Sequence, residues 1–498
     1  MINFTKIEHS NIKTAFPYKE SLSKDYRVFL NGLEISVYNC RVSAMPFNIW
    51  WQGHQRDICQ SELASFINFE SDEEIKVEVI ANRDFKNVML KPYSRKVKTV
   101  TEKNKITFTL ISDGQYVLEL DNAHFCLHIF YNKIENYEGK EKATYYFGEG
   151  VHFAGKITLK NNESVYIDKN ALVYGNIFAR NAENIRIFGH GILDDGTEER
   201  VCEQCYEDYT NGNMKFYDCK NIKIEGVILR NSAIWCLNLF HCFDVVINGI
   251  KIIGQWRYNT DGIDIINSQN INIKNSFVRT FDDAITIKGI DLYADTDCKN
   301  IHIENCVLWC DWGRTCEIGL ETACKEYKDI SFKNCDLLHN SGVAMDIQNG
   351  DYAEVSNIFF ENINVEYNSF DNVCMLQNSE EQKYDGYGKI HIPVLFGIAN
   401  ERFREMDCYK QLFNGAIQVK NKLSSSVHDV YVKNINVFYD NNILLYDGKF
   451  YVPINIKSSV KGVKYFNITI ENLVINGQRI NEKTAVLNIS DVENFKLI

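Results

Sequence analysis

Apolar and polar positions alternate through most of this chain beyond residue 145, in segments too short for helices. One phrase recurs, in which a polar residue is followed by an apolar residue, any residue and a second apolar residue. It begins at Asn184, Asn221, Asn270, Asn300, Asp329, Asn357, Asp429 and Asn467. Alternation at period two is typical of β-strands. The starts at 270, 300, 329 and 357 lie 30, 29 and 28 residues apart, and this period predicts a solenoid of repeated coils.

Asparagine opens most of these phrases, which predicts a corner of each coil. An asparagine tolerates the left-handed turn that a corner requires, and its amide can bond to the equivalent residue of the next coil. Helical periodicity is largely absent, so helical repeat arrays fit poorly. We therefore predict an all-β fold with a right-handed parallel β-helix over residues 146–498.

The first part of the chain, residues 1–145, lacks this recurrence. Its strand-like segments are separated by loops and lie at residues 26–30, 75–80, 106–110 and 116–120. We interpret residues 1–145 as a separate antiparallel β-sandwich domain. Within the solenoid, the 72 residues between the phrases at 357 and 429 are too many for one coil. Residues 366–428 are therefore predicted as an insertion with a helix near residues 400–413, and its role as binding loop or cap stays open.

Composition and charge narrow the possible partners. The chain has 498 residues, of which 45% are apolar, and a formal net charge of −12. Nucleic acids and anionic membrane surfaces attract basic faces, so neither is predicted as a partner, and no apolar run is long enough to span a membrane. Polar residues already occur from Asn3 onward, and the first eight residues form no basic, apolar, small-residue export signal. The 16 cysteines are then expected to be mostly free thiols of a cytoplasmic protein.

Cofactors and metals are not predicted. Cys202 and Cys205 form a C-x-x-C pair, but no second pair completes a set of four zinc ligands. We interpret this pair as incidental.

Three acidic residues carry the candidate chemistry. Asp261 belongs to an Asn-Thr-Asp-Gly segment at residues 259–262, and Asp282 and Asp283 follow it by 21 and 22 residues. One coil of a β-helix takes about 20–30 residues, so Asp261 is expected to lie directly beneath the pair. Converging carboxylates suit the cleavage of a glycosidic bond, in which one group protonates the leaving oxygen and another activates water.

These motifs resemble those of glycoside hydrolase family 28, the polygalacturonase group, and of its dextranase-like relatives in family 49. The resemblance covers residues 145–365. It includes a Gly-x-Gly-x-x-Asp segment at residues 189–194, Asn-Ser-x-x-Trp at residues 231–235, and the two aspartate motifs. The resemblance implies that Asp282 is the general acid, that Asp261 and Asp283 hold and deprotonate water, and that the anomeric centre is inverted.

Two departures from the family pattern concern the substrate. Polygalacturonases carry Gly-His-Gly after the aspartate pair, where this chain has Gly-Arg-Thr-Cys-Glu-Ile-Gly at residues 313–319. The Arg-Ile-Lys that grips the substrate carboxylate is expected at residues 344–346, which are Ala-Met-Asp here. An Arg fork binds a carboxylate through two charge-assisted hydrogen bonds. Ala344 and Asp346 remove that attraction and add repulsion, which predicts a neutral sugar at the cleavage site.

Other residues near the acids are candidates for holding the substrate. Acidic side chains accept hydrogen bonds from sugar hydroxyls, and aromatic rings either stack on sugar rings or pack within the solenoid. A lysine on the coil of the acid pair either positions an oxygen and adjusts the aspartate pKa values or is simply solvated. The predicted substrate-binding residues are Asn259, Lys288, Arg314, Glu317, Glu321, Trp256, Tyr258 and Asp346.

Two other classes of function stay open. A β-helix polysaccharide lyase would abstract a proton next to a carboxylate with a basic residue. The missing Arg-Ile-Lys and an expected lack of Arg or Lys beside the acids argue against it. A non-catalytic carbohydrate-binding β-helix would not need three convergent acids. The predicted partner is an oligosaccharide or polysaccharide; its sugar and linkage, endo or exo action, and the oligomeric state are left open.

Overall fold

The computed structural model describes residues 2–5, 22–44, 58, 61–201, 209–351, 353–367, 393–400, 425–439, 445–446, 449–450, 453–458 and 463–498. Cys202 and Cys205 lie outside these residues, and so does most of the insertion, including the predicted helix beyond residue 400. The described chain is built of β-strands, with short 3-10 helices at Tyr93–Arg95, Lys140–Lys142 and Asp291–Tyr293. None of its helices is long and apolar enough to cross a membrane.

Parallel sheets run along the solenoid, with one strand of each sheet per coil. We call the first sheet ladder 1; it carries the three predicted catalytic acids at its edge. Its strands are Gly150–Leu159, Ala171–Arg180, Met214–Tyr217, Leu237–Phe240, Ile263–Ile266, Ile285–Gly289, Arg314–Thr322, Val343–Gln348, Val394–Asn400, Ile454–Ser458 and Leu487–Ile489.

Two further sheets, ladder 2 and ladder 3, complete each coil. Ladder 2 consists of Tyr145–Phe147, Ser164–Ile167, Glu183–Gly189, Lys220–Glu225, Phe243–Asn248, Gln269–Lys274, Cys298–Glu304, Glu326–Lys333, Glu354–Tyr367, Ser426–Tyr439, Lys464–Ile475 and Val492–Leu497. Ladder 3 consists of Ile192–Asp194, Ile228–Arg230, Lys251–Ile253, Phe277–Thr280, Val307–Cys310 and Asp336–Asn340, and the second half of Glu354–Tyr367 continues it. Short antiparallel pairs join Gln478–Arg479 to the end of Lys464–Ile475, and Leu445–Tyr446 to Lys449–Phe450.

Asparagine and aspartate form a corner within the first four residues of eight ladder 2 strands, at the positions that open the recurring phrase. All eight residues that open the phrase have a φ between 53° and 60°, a left-handed conformation that Asn and Asp adopt more readily than other side chains. The amide of Asn221 donates to Asn184 over 2.7 Å, and that of Asn300 donates to Asn270 over 2.8 Å. The predicted β-helix is therefore confirmed, together with its asparagine corners.

The N-terminal part forms two sheets packed face to face. One sheet contains Asn3–Phe4, Tyr38–Ser43, Ser61–Glu70, Val88–Lys91, Gly114–Leu120 and Asn122–Asn132, and the other contains Tyr26–Leu30, Leu33–Ile35, Ile75–Ala81, Val100–Glu102 and Lys105–Leu110. Their facing side chains, such as Val77 and Leu118, share one buried cluster. The pairing is antiparallel as predicted, except that Ser61–Glu70 and Asn122–Asn132 run parallel.

The outer face of the first of these sheets packs against ladder 3. Phe66 and Phe130 of the sandwich join Phe277 and Trp309 of the solenoid in one buried cluster, and the rings of Phe130 and Phe277 are 5.2 Å apart. Each such buried side chain contributes roughly 1.5–3 kcal/mol. The sandwich therefore covers ladder 3 and lies away from the outer face of ladder 1.

A group of buried charges crosses this same interface, and we call it the interface cluster. It consists of Lys91 and Glu119 from the sandwich with His339 and Glu366 from the solenoid, all at most 1% exposed. The Lys91 Nζ lies 3.4 Å from a Glu119 oxygen and 3.6 Å from a Glu366 oxygen. The His339 Nε2 lies 2.6 Å from the other Glu119 oxygen. Two bases and two acids are thus paired away from solvent.

Candidate active site

The register of ladder 1 places the three predicted catalytic acids on neighbouring coils. Strand Ile263–Ile266 pairs with Ile285–Gly289, with Ile263 opposite Ile285. Just before these strands, the Gly262 N–H donates to the Asp283 carbonyl over 2.8 Å. Asp261 therefore lies one coil from Asp282 and Asp283, at the corner where ladder 3 passes into ladder 1.

Asp282 is buried, and its surroundings favour the protonated form of its carboxyl group. Only 7% of its surface is exposed, and burial, together with the negative charges of Asp261 and Asp283, raises its pKa well above the ordinary value. The Asn259 Nδ2 lies 3.5 Å from one carboxyl oxygen, and the Asp283 N–H donates to the other over 3.1 Å. A protonated, oriented carboxyl can serve as a general acid.

The pKa of Asp283 is shifted in the opposite direction. Burial alone would raise its pKa, but the positive charge of Arg314 and a hydrogen bond with Glu317 outweigh burial, and the pKa is lowered. The backbone N–H of Arg314 donates to the Asp283 Oδ1 over 2.8 Å. An ionised carboxylate next to a protonated one is the arrangement that separates a base from an acid.

Lys288 forms ion pairs with Asp261 and with Asp264, which lies on the same coil as Asp261. Its Nζ lies 2.8 Å from the Asp261 Oδ2 and 2.9 Å from the Asp264 Oδ1. Burial raises the pKa of Asp261 to about 7 although Lys288 opposes that rise, and the pKa of Asp264 is raised well above its usual range for the same reasons. The Lys288 ammonium also lies 3.9 Å from the centre of the Trp235 ring, a favourable cation–π contact.

Glu317 and Asp346 extend the row of acids along ladder 1. They occupy paired positions on adjacent strands, and Glu317 also pairs with Thr286 of the coil below. The Arg314 Nε lies 3.7 Å from Glu317 and 3.6 Å from Asp346. Burial and the nearby Asp283 charge raise the pKa of Glu317 well above its usual range, and burial raises that of Asp346 to about 6.

We call these groups together the acid cluster. It contains six carboxyl groups and two basic side chains, and each of its carboxyl groups is at most 7% exposed. Two positive charges cannot balance six buried negative charges, and the pKa is accordingly raised for every carboxyl group of the cluster except that of Asp283. The members are Asp261, Asp264, Asp282, Asp283, Glu317 and Asp346 with Lys288 and Arg314.

Half-buried side chains form a rim beside this cluster. Trp256 and Tyr258 lie on the loop before Asn259, and the Arg200 guanidinium is 5.7 Å from the centre of the Tyr258 ring. An Arg200 Nη1 donates to the Asn259 Oδ1 over 2.9 Å. Glu321 is also half-buried, and its negative charge contributes to the raised pKa values of Asp261 and Lys288. Asn259 and Glu321 thus interact with the acid cluster, whereas Trp256 and Tyr258 lie next to it on the loop that leads to Asn259.

Gly313 is the point where the backbone comes closest to the acid pair. A β-carbon at this position would lie 2.4 Å from the Asp283 Oδ1 and 2.7 Å from the Asp282 Oδ1. Both distances are far shorter than van der Waals contact. Only glycine at this position lets the chain pass while the two carboxyl groups stay in place.

Three contributing residues escape the sequence analysis. Asp264 stands at the outward position of an alternating Ile-Asp-Ile strand, a signal that identifies it in retrospect. Trp235 closes the Asn-Ser-x-x-Trp motif without an assigned role, and Arg200 comes from a distant loop with no local signal. The expected lack of basic residues beside the acids is wrong, because Lys288 and Arg314 both contact them.

No group of three or more His, Cys, Asp or Glu side chains in the described parts of the chain is arranged to hold a metal ion. The acid cluster is spread along the strands and is held by Lys288 and Arg314 instead.

Similarity to known proteins was assessed in sequence and in structure. The chain is 28% identical over 163 residues to a probable rhamnogalacturonase A of Aspergillus oryzae, covering 32% of this chain and 33% of that protein. It is 26% identical over 224 residues to a polygalacturonase of Gossypium barbadense, covering 43% of this chain and 52% of that protein. The chain therefore spans about a third to about half the length of these curated relatives.

In structure, the chain resembles Dex49A from Penicillium minioluteum. The two match with a TM-score of 0.62, 12% sequence identity and full coverage of both chains. At this identity the likeness concerns the fold alone, and it extends over the sandwich as well as the solenoid.

A sequence model of a known family also matches, and it covers the coils that carry the acids. The model of Glycosyl hydrolases family 28 matches residues 138–394, just over half of the 498 residues. This range includes Asp261, Asp282 and Asp283 as well as the altered segment at residues 344–346. The resemblance seen in the motifs is confirmed: the chain belongs to glycosyl hydrolases family 28.

Proposed function

We propose that this protein is an inverting glycoside hydrolase that cleaves an oligosaccharide or polysaccharide. The observation that carries the proposal is the opposite pKa shift of two adjacent buried carboxyl groups, Asp282 and Asp283. An inverting enzyme needs one carboxylic acid and one carboxylate at the same bond. Family membership makes glycosidic bonds the natural substrate.

In the proposed reaction, Asp282 gives its proton to the leaving glycosidic oxygen as the bond to the anomeric carbon breaks. A water molecule held by Asp261 and Asp283 attacks the anomeric carbon from the opposite face. Its proton passes to the Asp283 carboxylate, and solvent later returns a proton to Asp282. Lys288 keeps Asp261 partly ionised, because its ammonium opposes the effect of burial on the Asp261 pKa.

The proposed substrate is neutral at the cleavage site. The rhamnogalacturonase and polygalacturonase relatives are named for substrates that contain uronic acids. In this chain the positions of the carboxylate grip hold Ala344 and a buried Asp346, which pairs with Arg314 over 3.6 Å. Arg314 is thus already shared among carboxyl groups of the protein, and the acidic row would repel a uronate while accepting hydrogen bonds from hydroxyls.

Lyase chemistry is less well supported than hydrolysis, although basic side chains do lie beside the acids. A lyase needs a neutral base to remove a proton. Burial works against the charge on Lys288, but Asp261 and Asp264 outweigh it and raise the lysine pKa well above normal. Carboxylates likewise outweigh burial at Arg314 and raise its pKa. Both groups are held in the charged form, which cannot accept a proton.

The test is reducing-sugar release from neutral α- and β-linked oligosaccharides and from oligogalacturonate, with the intact protein and Asp282→Asn in parallel. We expect release from a neutral member that is lost in the variant. Faster release from oligogalacturonate than from every neutral glycan would contradict the neutral substrate. Ultraviolet absorbance of an unsaturated product would favour the lyase, and early-time NMR showing a retained anomer would contradict inversion.

A cytoplasmic location is part of the proposal. It is supported by cysteine usage, since eleven cysteines of the described residues are buried and free, the state expected in a reducing compartment. Fractionation of the producing cells tests it, and recovery of the native protein in the medium would contradict it.

A further inference from the structure

A polar cavity lies between the sandwich and the solenoid, away from the acid cluster. Its volume is about 550 Å³, within the range of about 300–1,000 Å³ that is typical of small-molecule sites. On the solenoid side it follows the corner between ladder 2 and ladder 3, whereas the acids stand at the corner between ladder 3 and ladder 1. Its lining residues are Ser94, Arg95, Asp113, Gly114, Gln115, Asn275, Asn305, Asn334, Asp336, Asn362, Asn364, Asn434 and Asn436.

Asparagine amides form the solenoid wall of this cavity in a regular array. The amide of Asn362 donates to Asn334 over 2.9 Å, and that of Asn434 donates to Asn362 over 3.0 Å. An amide side chain has two N–H donors and an oxygen that accepts two bonds. The bonds along the row use one donor and one acceptor of Asn362, which leaves one of each for a ligand. The array repeats at the spacing of adjacent strands, about 4.8 Å.

The sandwich supplies the opposite wall with groups that are already held in place. The Gln115 Nε2 donates to the Asn275 carbonyl over 2.8 Å and ties the two walls together. The Arg95 Nε lies 3.8 Å from Asp336, and its guanidinium lies 5.8 Å from the centre of the Tyr116 ring. Asp336 also accepts a hydrogen bond from Asn364 over 2.8 Å. Donors and acceptors thus converge in fixed positions, which lowers the entropic cost of binding.

The chemistry of the lining selects one class of ligand. The single guanidinium of the described lining, that of Arg95, lies beside Asp336, and Asp113 adds a second carboxyl group, so the described lining offers no excess positive charge to an anion. An apolar ligand would cover the amide groups without offering them hydrogen bonds, which is unfavourable. A ligand with many hydroxyl groups, each both a donor and an acceptor, matches the amides.

We propose that this interdomain cavity is a second, non-catalytic binding site for a neutral glycan. The glycan lies along the solenoid axis, with its hydroxyls bonded to successive asparagines and to Arg95. The class of glycan rests on the proposed function, since it is the class of the proposed substrate, but binding here does not require hydrolysis. The site would hold one stretch of a polysaccharide on the same coils whose other corner carries the acids.

The test uses the intact chain with Asp282→Asn, so that the ligand is not consumed. Isothermal titration calorimetry with neutral α- and β-linked oligosaccharides is expected to give two sites per chain. Ser94→Trp fills the cavity from the short helical turn at its edge and should reduce the stoichiometry to one. Lys98→Trp adds the same bulk outside the lining residues and should leave both sites.

A second variant distinguishes loss of the cavity site from misfolding of the chain. Arg95→Ala removes the guanidinium without adding bulk, and we expect it to weaken the cavity site about tenfold while its melting temperature stays close to that of Lys98→Trp. Two sites that persist in Ser94→Trp, a single site that Ser94→Trp does not remove, or no binding of any neutral glycan would overturn the proposal. A single site that Ser94→Trp removes, together with no hydrolysis by the intact protein, would overturn the proposed function alone.

Discussion

The acid cluster and the interface cluster are both buried, yet burial has opposite outcomes in the two places. At the interface, burial alone would raise the pKa of Glu119, but Lys91 and His339 outweigh it and hold that pKa at about 2. At the site, burial and two neighbouring carboxylates raise the pKa of Asp282. The difference lies in the balance of charges, since carboxyl groups greatly outnumber bases only in the acid cluster.

This contrast separates a structural carboxylate from a reactive one. A carboxylate with two basic partners is fixed in one state and fastens one domain to the other. A carboxyl group among other carboxyl groups keeps its proton to a higher pH than usual, so that it can act as a proton donor in the proposed reaction. Glu366 shows that the interface is not uniformly balanced, because burial raises its pKa to about 7 despite Lys91.

The largest expected effect is on catalysis. Asp282→Asn should lower the rate of glycan hydrolysis about 10²–10⁴-fold, the usual contribution of a general acid. Its free energy of unfolding at pH 7 should be no lower than that of the native chain, because burial and the charges of Asp261 and Asp283 already disfavour a negative charge at this position. Hydrolysis rates and urea unfolding measure the two quantities. A stable variant with near-native activity would remove Asp282 from the reaction.

The interface should show the reverse behaviour. Glu119→Gln removes the closer carboxylate partner of Lys91 and the partner of His339, and should lower the free energy of unfolding by about 3–5 kcal/mol, with an unchanged rate per folded molecule. Denaturant unfolding and the same hydrolysis assay test this. Glu34→Gln, which breaks the exposed pair with Arg27, is the control and should unfold like the native chain. If the two variants unfold alike, the interface cluster contributes no stability.

The two clusters should also give opposite slopes of stability against pH. Glu119 has a lowered folded pKa, so its contribution is present above the unfolded pKa of about 4.3 and is lost as pH falls toward 2. Asp346 has a raised folded pKa of about 6. Its protonated form favours the folded state below the unfolded pKa of about 3.9, and that stabilisation is lost as pH rises through 6.

Asp346→Asn therefore should flatten the decline of stability between pH 4 and 6, by at most about 1.4 kcal/mol per pH unit. Glu119→Gln should flatten the opposite slope between pH 4.3 and 2. Unfolding free energies measured across pH 2–8 in the two variants provide the comparison. Slopes that do not change in the respective windows would contradict these assignments.

The smallest expected effect is at the neutral corners. Asn300 has a φ of 55°, where a β-carbon is unfavourable by about 1–2 kcal/mol. Asn300→Ala should cost about 1 kcal/mol in unfolding free energy, through loss of the favoured conformation and of the bond to Asn270. Asn300→Gly keeps the conformation accessible and should cost less. Equal losses of unfolding free energy in the two variants would mean that Asn300 stabilises the fold through its hydrogen bond rather than through its backbone conformation.

Local patterns predict the parts of this molecule that repeat. The alternation of apolar and polar residues predicts the strands. Asn300 and its equivalents predict the corners, because each coil requires the same left-handed backbone conformation at that point. Asp261 and Asp283 are separated in sequence by about one coil. The sequence therefore predicts that they lie next to each other on adjacent coils.

Features that depend on contacts between distant segments could not be predicted. Lys91 and His339 are 248 positions apart, and neither lies in a pattern that indicates a partner. Arg200 reaches Asn259 from a loop whose course the periodicity does not specify. The exact surroundings of Arg314 also depend on the register of ladder 1, so sequence alone named it a candidate substrate contact without its carboxylate partners.

Gly313 has a consequence for comparing chains of this fold. Because any β-carbon there would overlap the oxygens of Asp282 and Asp283, the position records whether a chain can keep the two acids in this arrangement. A homologue that retains both aspartates but carries a larger residue at this place must move the two carboxyl groups or the backbone between them. The aspartate motif alone then does not show that the arrangement described here is kept.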